Sequence, residues 1–219
     1  MESKGFQIKH LDIGGGYAAD YETGASPAWE DYSEAITPLL KPLVDKGMKI
    51  ILEPGRTISA NAGILVTSIQ YIKKADSDKN IIIADTGMHH LIRPALYNAE
   101  HFIWPIKPGE SFSIVDRKFE PALDGLAEYD IVGPICETSD YLTKGRKLPP
   151  VNPSDRLAIF TAGAYGIVMS SHYNAHPKPA EYLIDKEKIF MIRESESYED
   201  LIDKQCNLRV ENGELKVEN

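Results

Sequence analysis

The chain has 219 residues, of which 42% are hydrophobic and 26% are charged, an ordinary balance for a soluble globular protein with a sizeable core. The formal net charge of −9 argues against nucleic acid as a partner, because a phosphate backbone needs a basic face. No apolar run approaches the roughly 20 residues that span a membrane, and the start does not resemble a signal peptide, so we expect no membrane partner. The scattered Lys and Arg favour a small-molecule ligand, and the two sparse cysteines indicate a reducing cytoplasm.

The first part of the chain reads as one βα repeat. A short strand is predicted over residues 8–13, and helical spacing of apolar residues follows over residues 26–47, with two internal prolines that predict a kinked or split helix. The largely apolar run over residues 48–52 is typical of a parallel strand. Strand, helix and strand in this order predict that residues 1–60 are the C-terminal part of a parallel (β/α) barrel.

The chain after residue 60 is predicted to form an antiparallel β-barrel or sandwich over residues 61–219, which makes the fold class α/β plus β. The β-prone runs, separated by turn residues, are at residues 64–72, 80–85, 112–115, 130–132 and 157–160. Helices are predicted at 165–175, packing back towards the barrel, and at 198–205. Residues 144–155, with three prolines, predict an exposed loop.

Two motifs near the strand ends of the barrel part indicate a ligand site. Gly14, Gly15 and Gly16 directly follow the first strand, where glycines let backbone N–H groups surround an anion; the alternative is a tight turn. Glu53 and Arg56 follow the next strand, at the end where ligands bind in parallel α/β folds; the alternative is a surface ion pair.

Two further candidate side chains lie in one motif of the predicted β domain. Arg93 can hold a carboxylate with two hydrogen bonds, and Tyr97 follows it. The adjacent His89 and His90 indicate metal at first sight. Because neighbouring side chains in an extended segment point in opposite directions, we expect no metal site there.

The last two motifs centre on a thiol and a phenol. Cys136 beside Glu137 could serve as a proton donor, or could be a small buried hydrophobic residue beside a surface acid. Tyr165 in a segment of small residues could hydrogen-bond a phosphate or carboxylate, or could belong to the core. The other cysteine, Cys206, is predicted to be a structural free thiol, since two cysteines form no disulfide framework.

In this order the strings LDIGGGY, EPGR, HHLIRPALY, GPICETSD and AGAYG resemble the fold-type III pyridoxal-phosphate-dependent decarboxylases, and specifically the diaminopimelate decarboxylases. The match extends to about residue 185. The resemblance implies an N-terminal barrel, a C-terminal β domain, pyridoxal 5'-phosphate as cofactor, and a homodimer with shared active sites. It also implies that the full-length protein decarboxylates meso-2,6-diaminopimelate to L-lysine and CO₂.

The resemblance further implies roles for individual residues. The cofactor-binding residues would be Gly14, Gly15, Gly16, Glu53, Pro54, Gly55, Arg56 and Tyr165. The substrate-binding residues would be Arg56, Arg93, Tyr97, Glu137 and Tyr165. Within these sets, Glu53 would pair with the pyridine nitrogen and Glu137 would receive the distal ammonium of the substrate. Cys136 would donate a proton to the site of the other subunit.

One family feature has no counterpart here, the lysine that anchors the cofactor as a Schiff base. In the family it lies well upstream of the glycine loop, and neither Lys4 nor Lys9 matches that place. A single βα repeat also leaves strand edges without partners, so we expect a part of a longer protein that is inactive alone.

Two alternatives stay open. A decarboxylase of ornithine, arginine or carboxynorspermidine, or an alanine racemase, would share the cofactor, but a polyamine-type substrate ends in a cation that Arg93 would repel. A non-catalytic binding or regulatory module of the same fold would explain the missing lysine.

Overall fold

The computed structural model describes residues 5–75, 79–114, 116–205, 207–211 and 214–218. Cys206 and the Val115 end of the strand predicted at 112–115 lie outside these residues. No helix within the described residues combines the length and the apolar character needed to cross a bilayer.

The N-terminal part forms the predicted βα repeat. Strand β1 is His10–Asp12, helix α1 is Trp29–Val44, and strand β2 is Lys49–Ile51. The two strands pair in parallel. Helix α1 continues through Pro38 and Pro42, so of the two predicted possibilities, a kinked or a split helix, the split is wrong. Because these prolines are four residues apart, both missing N–H groups fall on the same face and the other faces keep their hydrogen bonds.

The β domain is built on one six-stranded, barrel-like sheet. Its strands are β3 (Leu65–Lys74), β4 (Asn80–Ala84), β5 (Ile103–Pro105), β6 (Ala127–Val132), β7 (Tyr141–Leu148) and β8 (Arg156–Ile159). The order is β5-β8-β3-β4-β6-β7, and all neighbours are antiparallel except β4 and β6. The predicted antiparallel domain is therefore present, with one parallel pair inside it.

The core lies against this sheet and is made of fully buried aliphatic and aromatic side chains. Ile69, Ile82, Ile131 and Leu157 come from four different strands, and Phe102 packs among them. Burial of each such side chain contributes about 1.5–3 kcal/mol, so the sheet is a rigid support for the loops at its ends.

Short elements connect and follow the sheet. They are α2 (Gly55–Ser59), α3 (Arg93–Tyr97), the hairpin β9 (Glu181–Asp185) and β10 (Lys188–Arg193), α4 (Tyr198–Ile202), and the hairpin β11 (Asn207–Glu211) and β12 (Glu214–Glu218). The predicted C-terminal helix is confirmed as α4, which begins with a capping box between Ser197 and Asp200.

The helix predicted at 165–175 is wrong. Two 3-10 turns, Ile167–Met169 and Tyr173–Ala175, stand in its place. Tyr165, Asn174 and Ala175 have φ values of 60°, 54° and 58°. A right-handed helix needs a negative φ at every residue, so residues with this left-handed backbone cannot be part of it.

Two predictions about β structure are also wrong. The first part of the predicted loop 144–155 belongs to strand β7, because Arg146 is buried with its guanidinium over the Phe119 ring and donates to the Phe119 carbonyl oxygen at 3.2 Å. The strand predicted from residue 112 is absent from the described residues 112–114, and Glu110–Phe112 is a 3-10 turn.

Candidate active site

The glycine loop and the Glu53 motif lie side by side at the ends of β1 and β2. The parallel pairing continues past both strands, since Ile13 N–H donates to the Ile51 carbonyl oxygen at 3.1 Å and Glu53 N–H to that of Gly14 at 2.8 Å. A Cβ on Gly15 would stand 2.5 Å from the Glu53 carbonyl oxygen, so only glycine fits. The two motifs predicted to share one ligand are therefore adjacent.

The other two glycines of the loop are required by backbone conformation rather than by crowding. Gly14 and Gly16 have φ values of 69° and 81°, and a Cβ on either would meet nothing within 4 Å. Their backbone therefore borders open space. The loop is held by Asp12, whose carboxylate accepts from Gly14 N–H at 2.7 Å. The three glycines after β1 thus form an ordered turn whose backbone is not covered by side chains.

The segment after Glu53 carries the second half of this site. Pro54 precedes α2, which begins at Gly55 and contains Arg56. The helix leads into a 3-10 turn whose backbone meets the AGAYG segment directly. Gly163 N–H donates to the Ala60 carbonyl oxygen at 2.9 Å.

Small residues make this close backbone approach possible. A Cβ on Gly163 would stand 2.1 Å from the Ser59 carbonyl oxygen, and one on Gly63 would stand 2.7 Å from the Gly163 Cα. Two residues after this crossing, Tyr165 comes to the Gly55 end of α2, and its hydroxyl oxygen is 4.0 Å from where a Gly55 Cβ would be. The structure thus joins the EPGR and AGAYG motifs.

Tyr165 lies between two arginines in a strained conformation. The guanidinium carbons of Arg56 and Arg93 are 5.9 Å and 5.7 Å from its ring centroid. Its left-handed φ costs of order 1–3 kcal/mol for a residue with a side chain, and such strain is typical of functional sites.

Arg93 is a buried cation without a carboxylate partner in the described part of the chain. Its side chain is 5% exposed, its Nε makes no hydrogen bond there, and it forms none of the ion pairs found there. Its guanidinium carbon lies 4.8 Å from the Tyr21 ring centroid and 6.0 Å from that of the exposed Tyr97. A buried guanidinium is stable only with a partner or with aromatic faces, so this one is available for an anionic ligand.

Cys136 and Glu137 lie in the turn between β6 and β7, and one buried carboxylate organises that turn. Asp140 accepts from Met88 N–H at 2.6 Å and from Ile135 N–H at 2.7 Å. It packs directly on Gly87 and Gly133, where a Cβ would stand 2.3 Å and 2.5 Å from a carboxylate oxygen. Burial raises the pKa of Asp140, although both amide donors oppose that shift.

The side chains of Cys136 and Glu137 are exposed, and that of Glu137 contacts Tyr173, which lies outside the glycine loop. The Glu137 carboxylate accepts from the Tyr173 hydroxyl at 3.2 Å. This hydrogen bond and the negative charge of Glu137 raise the pKa of Tyr173, and Cys136 adds to the shift. No hydrogen bond or ion pair within the described residues joins Cys136 or Glu137 to Gly14–Gly16 or to Arg93.

The two histidines before Arg93 are structural in character. His89 is 1% exposed, its ring centroid lies 3.7 Å from that of His90 and 4.7 Å from that of His176, and burial is the main reason that its pKa is lowered to about 3. His90 bonds to Thr86 and to the Pro177 carbonyl oxygen. The described residues contain no group of three or more His, Cys, Asp or Glu that could hold a metal ion.

Sequence reasoning missed three residues of these clusters: Tyr21, Asp140 and Tyr173. Asp140 lies inside a motif that the sequence singled out, and its position beside two glycines in space has no sequence signal. Tyr173 meets Glu137 across 36 residues of chain, so no local pattern links them.

Comparison with known proteins identifies the family of this chain. Residues 17–163 match the family model described as the pyridoxal-dependent decarboxylase C-terminal sheet domain. The chain belongs to this family. The assignment confirms the predicted fold class and the predicted cofactor, because the pyridoxal-dependent decarboxylases act through pyridoxal phosphate.

The relatives include several diaminopimelate decarboxylases. Diaminopimelate decarboxylase of Aquifex aeolicus is 43% identical over 204 residues, which are 93% of this chain and 44% of the relative. That of Haemophilus influenzae is 44% identical over 201 residues, which are 92% of this chain and 45% of the relative. The crystal structure of diaminopimelate decarboxylase from Helicobacter pylori complexed with L-lysine has a TM-score of 0.76 and 37% identity, covering 92% of this chain and 46% of that one. The chain thus spans less than half the length of these relatives.

Proposed function

We propose that this chain is the C-terminal half of a carboxy-lyase that converts meso-2,6-diaminopimelate to L-lysine and CO₂ with pyridoxal 5'-phosphate. The observation that carries the proposal is the adjacency of the glycine loop and Glu53, with Tyr165 and Arg93 at the following helix. Relatives that are 39% to 44% identical over 90% or more of this chain are named diaminopimelate decarboxylases. Their names support diaminopimelate as the proposed substrate.

The residues present fit the cofactor. Gly14 and Gly16 border open space with bare backbone, so the Gly14–Gly16 loop and the backbone of Gly55 and Arg56 would hold the phosphate, and the Tyr165 hydroxyl would add a donor. When bound, pyridoxal phosphate draws electrons from the carbon that loses CO₂. Glu53 would hold a proton on the pyridine nitrogen, since a carboxylate stabilises the cationic form of a paired base.

The remaining residues fit a substrate with an amino acid at each end. Arg93 would bind the distal carboxylate, with Tyr97 and Arg56 beside it, because a buried guanidinium recognises a carboxylate strongly. Glu137 would receive the distal ammonium. Cys136 would return a proton to the carbon that has lost CO₂. A polyamine-type substrate lacks the distal carboxylate and would leave Arg93 buried without a partner.

We further propose that the full-length protein is a cytoplasmic homodimer in which Cys136 and Glu137 serve the site of the second subunit. The exposure of both side chains, and the contact of Glu137 with Tyr173 instead of the glycine loop, support this division. We propose that these 219 residues do not act alone, since no lysine matches the covalent anchor. Strands β9 and β10 also leave Ile184, Ile189 and Ile192 more than 60% exposed, a surface that needs a partner.

The test is an assay of purified full-length protein with pyridoxal phosphate against meso-diaminopimelate, ornithine and arginine. We expect CO₂ release from meso-diaminopimelate alone, and none from the 219-residue chain. Turnover of ornithine but not meso-diaminopimelate would overturn the substrate. Binding of pyridoxal phosphate by the full-length protein without any turnover would favour the non-catalytic module.

A further inference from the structure

The loop of residues 171–178, here called the Tyr173 loop, is fixed at both ends. At its start, Ser171 N–H donates to the His89 carbonyl oxygen at 2.8 Å. At its end, the Pro177 carbonyl oxygen lies 3.0 Å from His90 Nε2, and Lys178 N–H donates to the Glu196 carboxylate at 2.8 Å. The loop is therefore tied to the same segment that carries Arg93.

The inside of the loop holds an unfavourable backbone conformation. Asn174 and Ala175 both have left-handed φ values, 54° and 58°. Asparagine tolerates this region, but alanine is strained there by about 1–2 kcal/mol. His172 bonds to Glu196 at 2.5 Å and so holds the residue immediately before Tyr173. Consecutive residues with strained backbone persist only where surrounding contacts hold them. Because these contacts hold the backbone on both sides of Tyr173, we infer that they also set the direction of its side chain.

Tyr173 points at Glu137. Its hydroxyl donates to the Glu137 carboxylate at 3.2 Å while the ring is 40% exposed. Among the described residues, the other hydrogen bonds of Glu137 are made by its backbone, by N–H donation to the Ile135 carbonyl oxygen at 2.8 Å and by acceptance from Asp140 N–H at 3.0 Å. An exposed glutamate has several rotamers of similar energy, and one hydroxyl donor selects among them.

We propose that Tyr173 is a positioning residue for substrate specificity, which holds the Glu137 carboxylate in the orientation that receives the distal ammonium of the substrate. The proposal rests on the function proposed above for Glu137. Because the phenol keeps its proton beside a carboxylate, it remains a donor throughout the neutral pH range. We therefore expect Tyr173 to affect binding of the distal ammonium of the substrate. We expect no effect on cleavage of the bond to the carboxylate that leaves as CO₂ at the other end.

The experiment is a double-mutant cycle in the full-length holoenzyme with Tyr173→Phe, Glu137→Gln and the pair. KM and kcat are measured with meso-diaminopimelate, and the Kd of L-lysine is measured by calorimetry. We expect Tyr173→Phe to raise KM and Kd by about 10- to 150-fold, the range of one hydrogen bond to a charged group, with kcat within about twofold. In the Glu137→Gln background the same substitution should change KM by less than about twofold.

Tyr71→Phe, on the exposed part of β3, is the matched control and should leave KM and kcat unchanged. Wild-type KM in Tyr173→Phe would overturn this inference alone, as would an equal effect with and without Glu137. A wild-type protein that neither turns over meso-diaminopimelate nor binds L-lysine would overturn the proposed function, and this inference with it.

Discussion

The Glu53 carbonyl oxygen lies 2.5 Å from the place where a Gly15 Cβ would stand. This contact joins the turn after β1 to the turn after β2 at the level of the backbone. It therefore requires glycine for a reason independent of any ligand, and it holds the Glu53 backbone beside the glycine loop.

The first prediction concerns crowding in that loop. Gly15→Ala should reduce the affinity of the full-length protein for pyridoxal phosphate at least about tenfold, because the new methyl group must displace the Glu53 backbone. Gly47→Asn is the matched control. Gly47 lies outside the loop and has open space and a φ of 87°, which asparagine tolerates, so the affinity for pyridoxal phosphate should change less. Cofactor titration by absorbance measures both, and equal losses would contradict the steric explanation.

The second prediction concerns Arg93. Arg93→Lys should raise KM for meso-diaminopimelate about tenfold or more, because lysine cannot form the paired hydrogen bonds of a guanidinium with a carboxylate. Steady-state kinetics of the full-length protein measure it. Arg156→Lys, at an exposed position of β8, provides the comparison and should be neutral. An unchanged KM in Arg93→Lys would remove this residue from substrate binding.

The third prediction concerns the proposed proton donor. Cys136→Ala should preserve binding of pyridoxal phosphate and lower kcat by about 10²- to 10⁴-fold, the usual contribution of a positioned acid. Single-turnover and steady-state rates of the full-length protein measure the loss. Cys206→Ala is the cysteine control and should retain wild-type rates. If Cys136→Ala also retained them, the thiol would have no part in the reaction.

The fourth prediction concerns acid sensitivity. Burial lowers the pKa of His89 to about 3 and of His101 to about 4, from the usual 6.5. The unfolded chain therefore takes up these protons first, so stability present above pH 6.5 is lost as the pH falls towards 3–4. Between pH 7 and 5 each group should remove about 2 kcal/mol from the free energy of unfolding.

Urea unfolding of the chain at both pH values measures this loss. His101→Asn should reduce it by about half and keep a donor for the Phe160 carbonyl oxygen, which lies 2.9 Å from the His101 ring nitrogen. The exposed His10→Gln is the control and should not alter the pH dependence. An identical pH dependence in His101→Asn would show that His101 is not responsible.

The sequence predicted the βα repeat and its ligand end because those features are local. The glycines follow the end of β1, and Glu53 follows the end of β2. Because the two strands pair in parallel, their ends lie side by side, and so do these two motifs. Strand β7 escaped prediction because Arg146 looks like a surface residue until the Phe119 ring and carbonyl oxygen are placed against it. The helix predicted at 165–175 failed because left-handed Tyr165 and Ala175 carry no sequence signal, as neither is glycine.

The Asp140 carboxylate connects the segment that carries Arg93 with the segment that carries Cys136. One of its oxygens accepts from Met88 N–H, five residues before Arg93, and the other accepts from Ile135 N–H, directly before Cys136. A displacement of one segment that carries the carboxylate with it therefore also changes the hydrogen bond to the other segment.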